Sequence, residues 1–230
     1  GFSDGWFYSD WHGAKMYRDP KRFREGVLSA RPVVKRRSCC RYACHNMILI
    51  GYAIENVCGM DLDAAAREFL WRPLGMSSTC WHNIPGNGRT VQIYTSGAVE
   101  PGFKGDEKAR VSDRPIGNAG VFTSLEDMML FAGDLLKRGT FPEEYYRLLF
   151  TPDFDDGSKR RTFGWNMPRQ PASGPWSDRT IRHSGYTGQY VAVDPQRGNF
   201  AVVLTNDSSR GRKERSEAYS NRVRLAGMVI

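Results

Sequence analysis

The residues of this chain best suited to chemistry fall in two places. Tyr42 opens an apolar stretch, and His183-Ser184-Gly185-Tyr186 closes a strand-like one. A phenol ionises near pH 10, so Tyr42 can carry protons only where nearby cations favour its anion; otherwise it is a core tyrosine with one satisfied hydroxyl. An imidazole titrates near pH 6.5, so His183 can donate a hydrogen bond or carry partial charge; the bland alternative is a histidine exposed on an edge strand. Cys39, Cys40, Cys44 and His45 suggest a metal, but no pair has Cys-x-x-Cys spacing and vicinal cysteines rarely ligate one ion together. No metal or other cofactor is expected. Ser38 and these cysteines are weak candidates for a nucleophile, since Cys44 and His45, as helical neighbours, diverge by about 100°.

The elements that must position these groups can be read from periodicity and capping. Residues 1–41 are aromatic and basic without a sustained period, and suit loops with one short helix near Lys21–Leu28. From Asn46 to Val57 the residues Leu49, Tyr52, Ala53, Ile54 and Val57 recur at helical spacing, with Gly59 as a stop. Asp61 can cap a second helix whose Leu62, Ala65, Ala66 and Phe69 share a face and which Pro73 ends. Residues 80–118 form a long loop or small subdomain, with Thr90–Tyr94 as its one strand-like run. Ser124 and Asp127 resemble a capping box opening a helix that closes at Gly139, and a shorter helix follows over Glu143–Phe150. Tyr190–Val193 and Phe200–Leu204 make an antiparallel hairpin, Thr180–Ser184 enters it as a third strand, and Glu214–Val229 can cover one sheet face as a helix. Helices followed by an antiparallel sheet describe an α+β protein.

Composition bounds the alternatives. With 40% apolar and 25% charged residues, the 230-residue chain is an ordinary globular sequence, long enough for one large domain. No run approaches the roughly 18 apolar residues of a membrane span. The net charge of +8 lies mostly in residues 1–50, where ten Lys or Arg face four Asp or Glu, 10 − 4 = +6. Without a zinc-finger spacing or a basic-aromatic repeat this is a solvated basic face, and no nucleic-acid partner is expected. Five cysteines in a chain of this length do not define a disulfide framework.

Taken in order, Tyr42-Ala43-Cys44-His45-Asn46, Pro73-Leu74-Gly75-Met76 with Thr79, Gly117-Asn118-Ala119-Gly120 with Ser124 and Asp127, His183-Ser184-Gly185-Tyr186-Thr187-Gly188, Asp194-Pro195 and Leu204-Thr205-Asn206 resemble the β-lactamase-like serine hydrolases. That family includes class C β-lactamases, penicillin-binding proteins and esterase relatives. The resemblance implies a β-lactamase/transpeptidase-like fold, an antiparallel sheet flanked by helices with a helical region. It also implies an acyl-enzyme mechanism on a small-molecule or peptide ester or amide, and, by analogy, an extracytoplasmic location.

By the same resemblance Tyr42 is the second-motif proton shuttle and His183 stands where the third motif usually has a cation. Ser184, Gly185 and Tyr186 contact substrate, with Gly185 leaving room for its backbone and the Tyr186 N–H forming half of an oxyanion hole. Cys44 replaces a common Asn that hydrogen-bonds a substrate amide, and with His183 in place of Lys it favours an esterase or peptidase-like substrate over a β-lactam. The first motif, Ser-x-x-Lys, occurs nowhere in the 230 residues. The chain is therefore expected to be one partial domain lacking its nucleophile segment, with 1–41 a loop-rich basic entry, 42–150 the helical region and 160–230 the C-terminal strands and helix. The alternative is a non-catalytic binding or scaffold module of the same fold.

Overall fold

In a computed structural model, the structure describes residues 19–35, 37–40, 42–82, 102, 104–168 and 176–205. They divide into two compact units. The first takes its described residues from Gly1–Arg72, Cys80–Ile84 and Lys104–Phe122, the second from Pro73–Thr79, Pro85–Phe103 and Thr123–Ile230. The strand-like run at 90–94 and the C-terminal helix expected at 214–229 lie outside the described residues.

In the first unit, helix α1 (Pro20–Ser29) starts where Asp19 accepts the N–H groups of Lys21 and Arg22, with proline in the first turn, where its missing N–H costs nothing. Helix α2 (Cys44–Cys58) is a little longer than its periodicity predicts and ends at Gly59, whose φ of 65° puts it in the left-handed region. Phe23 and Val27 of α1 pack with Ile48 and Tyr52 of α2 and with Ala109 and Ile116. Each fully buried Phe, Val or Ile among them contributes about 1.5–3 kcal/mol.

The basic face predicted for the N-terminal segment is partly consumed by this packing. Arg24 and Arg114 both reach the buried Glu55 carboxylate, at 3.5 and 3.4 Å, and the Arg24 guanidinium lies 4.1 Å from the centre of the Tyr52 ring. Removing a carboxylate from water is costly, and two cations with a Leu62 N–H hydrogen bond at 3.3 Å offset that cost.

Helix α3 (Leu62–Ala66) begins at Asp61 as expected, but Pro73 does not end the helical path. A π turn (Arg67–Trp71) carries it into a last turn, α4 (Arg72–Leu74). The wider π turn bonds the Arg72 N–H to the Arg67 carbonyl, five residues back, and so removes the usual four-back alignment that a proline ring obstructs. The extra residue also rotates the core stripe. Phe69, expected inside, is 56% exposed, while Trp71 is buried and packs against Trp81. A short helix, α5 (Glu107–Val111), capped by Asp106, stands where sequence periodicity predicts only loop.

In the second unit, α6 (Leu125–Lys137) opens at Ser124, whose hydroxyl oxygen accepts the Asp127 N–H. Its C-cap is Arg138 at φ 53°, not Gly139. A non-glycine residue pays about 1–2 kcal/mol there. Arg138 has side-chain contacts that compensate, an ion pair with Glu143 at 2.9 Å and a stack over Phe150. Helix α7 (Glu143–Phe150) buries Tyr146, Leu149 and Phe150.

A six-stranded antiparallel meander follows: β1 (Phe154–Asp155), β2 (Arg160–Arg161), β3 (Asn166–Met167), β4 (Ile181–Ser184), β5 (Tyr190–Asp194) and β6 (Asn199–Val203), paired in that order. The first three are two-residue strands, too short for any alternation to be visible in sequence. Alternation in the longer strands separates two faces. Ile181 and Val193 pack with Ala132 and Leu135 of α6 and Tyr146 of α7, whereas Tyr190, Ala192 and Ala201 pack with Trp176 on the other side.

Candidate active site

Tyr42 and Cys44 belong to the first unit, at the head of α2. Ala43 takes the N-cap position with extended backbone and no side-chain cap, so Tyr42 precedes the helix and Cys44 begins it. The Tyr42 side chain is 63% exposed, which excludes the buried core tyrosine that is its bland reading. Cys44 is half-buried. Of the substitute nucleophiles, Ser38 donates its hydroxyl to the Lys35 carbonyl in a local turn, and His45, the base nearest Cys44, is buried in the helix core.

His183, Ser184, Gly185 and Tyr186 belong to the second unit and form one strand end and the turn beyond it. Strand β4 pairs with β5 in a continuous register, Ile181 with Val193 through Ser184 with Tyr190, while β3 meets β4 only at Arg182. The β3 side of His183 and Ser184 is thus left without ladder pairing among the described residues. The imidazole of His183 meets the edge of Trp165 with centroids 6.5 Å apart. Burial lowers its pKa, the Arg161 guanidinium lowers it further, and a hydrogen bond with the Ser184 backbone opposes both. The shift favours the neutral, hydrogen-bonding form of His183.

That depression has a sign. Folded His183 takes up its proton less readily than the unfolded chain does, so acidification through about pH 6.5 favours unfolding. We expect an NMR titration of its ring protons to give a midpoint below 6.5, and a midpoint above that value to contradict the packing described here.

Gly185 is closely approached by a neighbouring side chain. Its N–H donates to the Gln189 carbonyl at 2.8 Å, and a Cβ on Gly185 would collide with the Gln189 side-chain oxygen. The room expected for substrate beside Gly185 is filled at that point by Gln189, whose amide also bonds Thr187 and, at 3.0 Å, the Thr205 carbonyl. Gly188 closes the turn at φ 104°. Tyr186, 79% exposed, stands at its outside. Trp165, Arg161 and Gln189 shape this region without being recognisable in sequence, since the first two reach it through β2 and β3, strands of two residues.

Asp127 departs from a reciprocal capping box. Its carboxylate accepts the Ser78 N–H at 2.9 Å and the Thr79 hydroxyl at 2.6 Å, and Thr79 also bonds Thr123. The segment after Pro73-Leu74-Gly75-Met76 is in this way tied to the start of α6. Among the described residues, no group of three or more His, Cys, Asp or Glu is placed to hold a metal, and no helix is long and apolar enough to cross a membrane.

An antiparallel sheet packed on helices, with a His-Ser-Gly strand end, defines a class, and residues 1–226 match the model of the beta-lactamase family. The chain belongs to that family, which is one of hydrolases. It is 27% identical over 196 residues to the "Putative D-alanyl-D-alanine carboxypeptidase" of Escherichia coli O157:H7, covering 72% of this chain and 44% of that protein. It is 25% identical over 188 residues to an N-acetylmuramyl-L-alanine amidase of Bacillus subtilis (strain 168), covering 69% and 42%. The chain thus spans less than half the length of these curated relatives. Among solved structures, EstCE1, a hydrolase with promiscuous acyltransferase activity, superposes with a TM-score of 0.70 at 19% identity, over 90% of this chain and 61% of that one. That likeness shows the shared fold.

Proposed function

We propose that the chain supplies the second and third motifs of an acyl-transferring serine hydrolase, with Tyr42 as proton shuttle and His183 as hydrogen-bonding partner. The observation that carries this reading is the third-motif tripeptide His183-Ser184-Gly185 at the end of β4, in a chain of the beta-lactamase family that also has the Tyr42 motif in order. In the reaction, a serine attacks an ester or amide carbonyl, Tyr42 passes the serine proton to the leaving group, and water then cleaves the acyl-enzyme. The Tyr186 N–H supplies one oxyanion donor, the nucleophile's own N–H the other, and Ser184 and Gly185 contact the substrate. Cys44 is a weak partner for a substrate amide, and a neutral His183 offers no fixed charge to a carboxylate. Both favour an ester or a peptide-like substrate over a β-lactam. An extracytoplasmic setting follows by analogy with the family.

The nucleophile of this scheme is a Ser-x-x-Lys serine outside these 230 residues. The 230-residue chain alone is expected to hydrolyse neither a chromogenic ester nor a chromogenic cephalosporin. A reading frame that adds Ser-x-x-Lys upstream is expected to restore ester turnover, with Tyr42→Phe lowering kcat about 100-fold or more. Robust turnover by the chain alone would show that the nucleophile lies within it. Cys44 favours a second reading, a binding module that has kept the fold and lost the chemistry. An inactive longer chain with an intact Ser-x-x-Lys is the outcome that supports it.

A further inference from the structure

The second unit contains a cavity of about 340 Å³ whose wall includes Lys159, Arg160, Asn166, Arg182, Ser184 and Tyr190. Residues paired directly across strands share a face, and here Asn166 pairs with Arg182 and Ser184 with Tyr190. All four therefore project from the sheet face of Ala192 and Trp176, opposite the face of Ile181. His183 also borders the cavity, its ring meeting the edge of Trp165 and lying on the Ile181 side by strand alternation. The cavity therefore lies beside the acyl-transfer position proposed for His183 and shares Ser184 with it.

Among the described residues, three cations line this space and no carboxylate does. Arg160 is anchored, its guanidinium donating to the Pro168 and Asp178 carbonyls at 3.4 and 3.3 Å, with the Asp178 carboxylate 3.7 Å away. Asp156 organises the turn that carries Lys159, accepting the Ser158 and Lys159 N–H groups at 2.9 and 2.7 Å. Arg182 differs. It is half-buried at the centre of the strand, and among the described residues it has no ion-pair partner. A partly desolvated guanidinium gains most from an oxyanion that accepts its planar pair of N–H groups, and a volume of this size holds a molecule rather than an ion alone.

We propose that this cavity is a binding site for a small organic anion, its carboxylate or phosphate group paired with Arg182 and Lys159 and its body lying over Tyr190. The site does not depend on the acyl-transfer reading, and its test reads binding, not turnover.

Benzoate, phenyl phosphate and benzyl alcohol present the same ring with a carboxylate, a phosphate or no charge. Titrated into the 230-residue chain and followed by calorimetry, the better of the two anions is expected to bind at least tenfold more tightly than benzyl alcohol, and the order of the two identifies the oxyanion. Arg182→Gln is expected to remove at least tenfold of that affinity. Arg197→Gln, an exposed arginine in the β5–β6 turn, is expected to leave it unchanged. Anions that bind no better than benzyl alcohol, or an affinity equal in the Arg182→Gln chain, would overturn the proposal. Should Arg182→Gln fail to fold, phenylglyoxal modification of the unaltered chain replaces it. Mass spectrometry is expected to show Arg182 protected at least threefold by the tighter anion, and absence of protection overturns the assignment.

Discussion

Replacing Asp194 with alanine is expected to cost about 3 kcal/mol or more, among the largest losses available to a single side chain in the second unit. Asp194 ends β5, is fully buried, and accepts hydrogen bonds from the Ser177 N–H, the Ser177 hydroxyl at 2.9 Å, the Thr180 hydroxyl at 3.0 Å, and the Gln196 and Arg197 N–H groups at 2.9 and 3.0 Å. Truncation leaves the buried Ser177 N–H without its partner and frees the Gln196 and Arg197 N–H groups of a partly buried turn. Burial alone would raise the carboxyl pKa, but the hydrogen bonds from Ser177, Arg197 and Thr180 outweigh it and hold the group below its usual range. A carboxyl depressed in the folded state stabilises the fold above its unfolded value, near pH 3.9, and that contribution disappears as pH falls through the folded value. Urea midpoints measured from pH 7 downward are therefore expected to fall steeply below about pH 4 for the unaltered chain and much less steeply for Asp194→Asn. Parallel acid profiles would show that other groups hold the turn.

Gly117→Ala is expected to be comparably destructive in the first unit. A Cβ on Gly117 would overlap the Met47 carbonyl oxygen, and one on Gly51 would come within 3.1 Å of the Gly117 nitrogen. Here the turn at 117 and helix α2 touch backbone to backbone, and neither can yield by changing a rotamer. Overpacking usually costs about 1–3 kcal/mol, and a main-chain collision belongs at or above the top of that range. Gly51→Ala, which also meets the movable Leu62 side chain, is expected to cost less. Gly133→Ala in α6 has nothing within 4 Å and is expected to be neutral or stabilising by up to about 1 kcal/mol. Denaturant unfolding of the three variants checks the order, and equal stability of Gly117→Ala and Gly133→Ala would contradict the close approach.

These two positions show which parts of the molecule can be read from residues alone. Sequence marks Gly117 and Asp194 as pieces of a family pattern but does not reveal that one meets a carbonyl and the other gathers five donors. Helices α2, α6 and α7 and the β5–β6 hairpin are legible because each carries several periods of apolar repeat and a recognisable cap or turn. Helix α5 is hidden because five residues carry barely one turn, and β1 to β3 because two residues cannot alternate. The end of α6 is misread because Arg138 takes the left-handed position through tertiary contacts, although the next residue is glycine. At the candidate site, residue types at Tyr42 and His183 point to the chemistry, while the lowered pKa of the imidazole comes from its burial and from Arg161 on β2, neither of which the residue type reveals.

The π turn at Arg67–Trp71 bears on how this region can change over evolutionary time. Deleting one residue there would return the helix to its regular pitch, and Pro73 would then press its ring on a carbonyl four positions earlier. Replacing Pro73 first would leave the surplus residue in place, with Trp71 still held beside Trp81. Neither single step is neutral, so the insertion and the imino acid are expected to be inherited or lost as a pair.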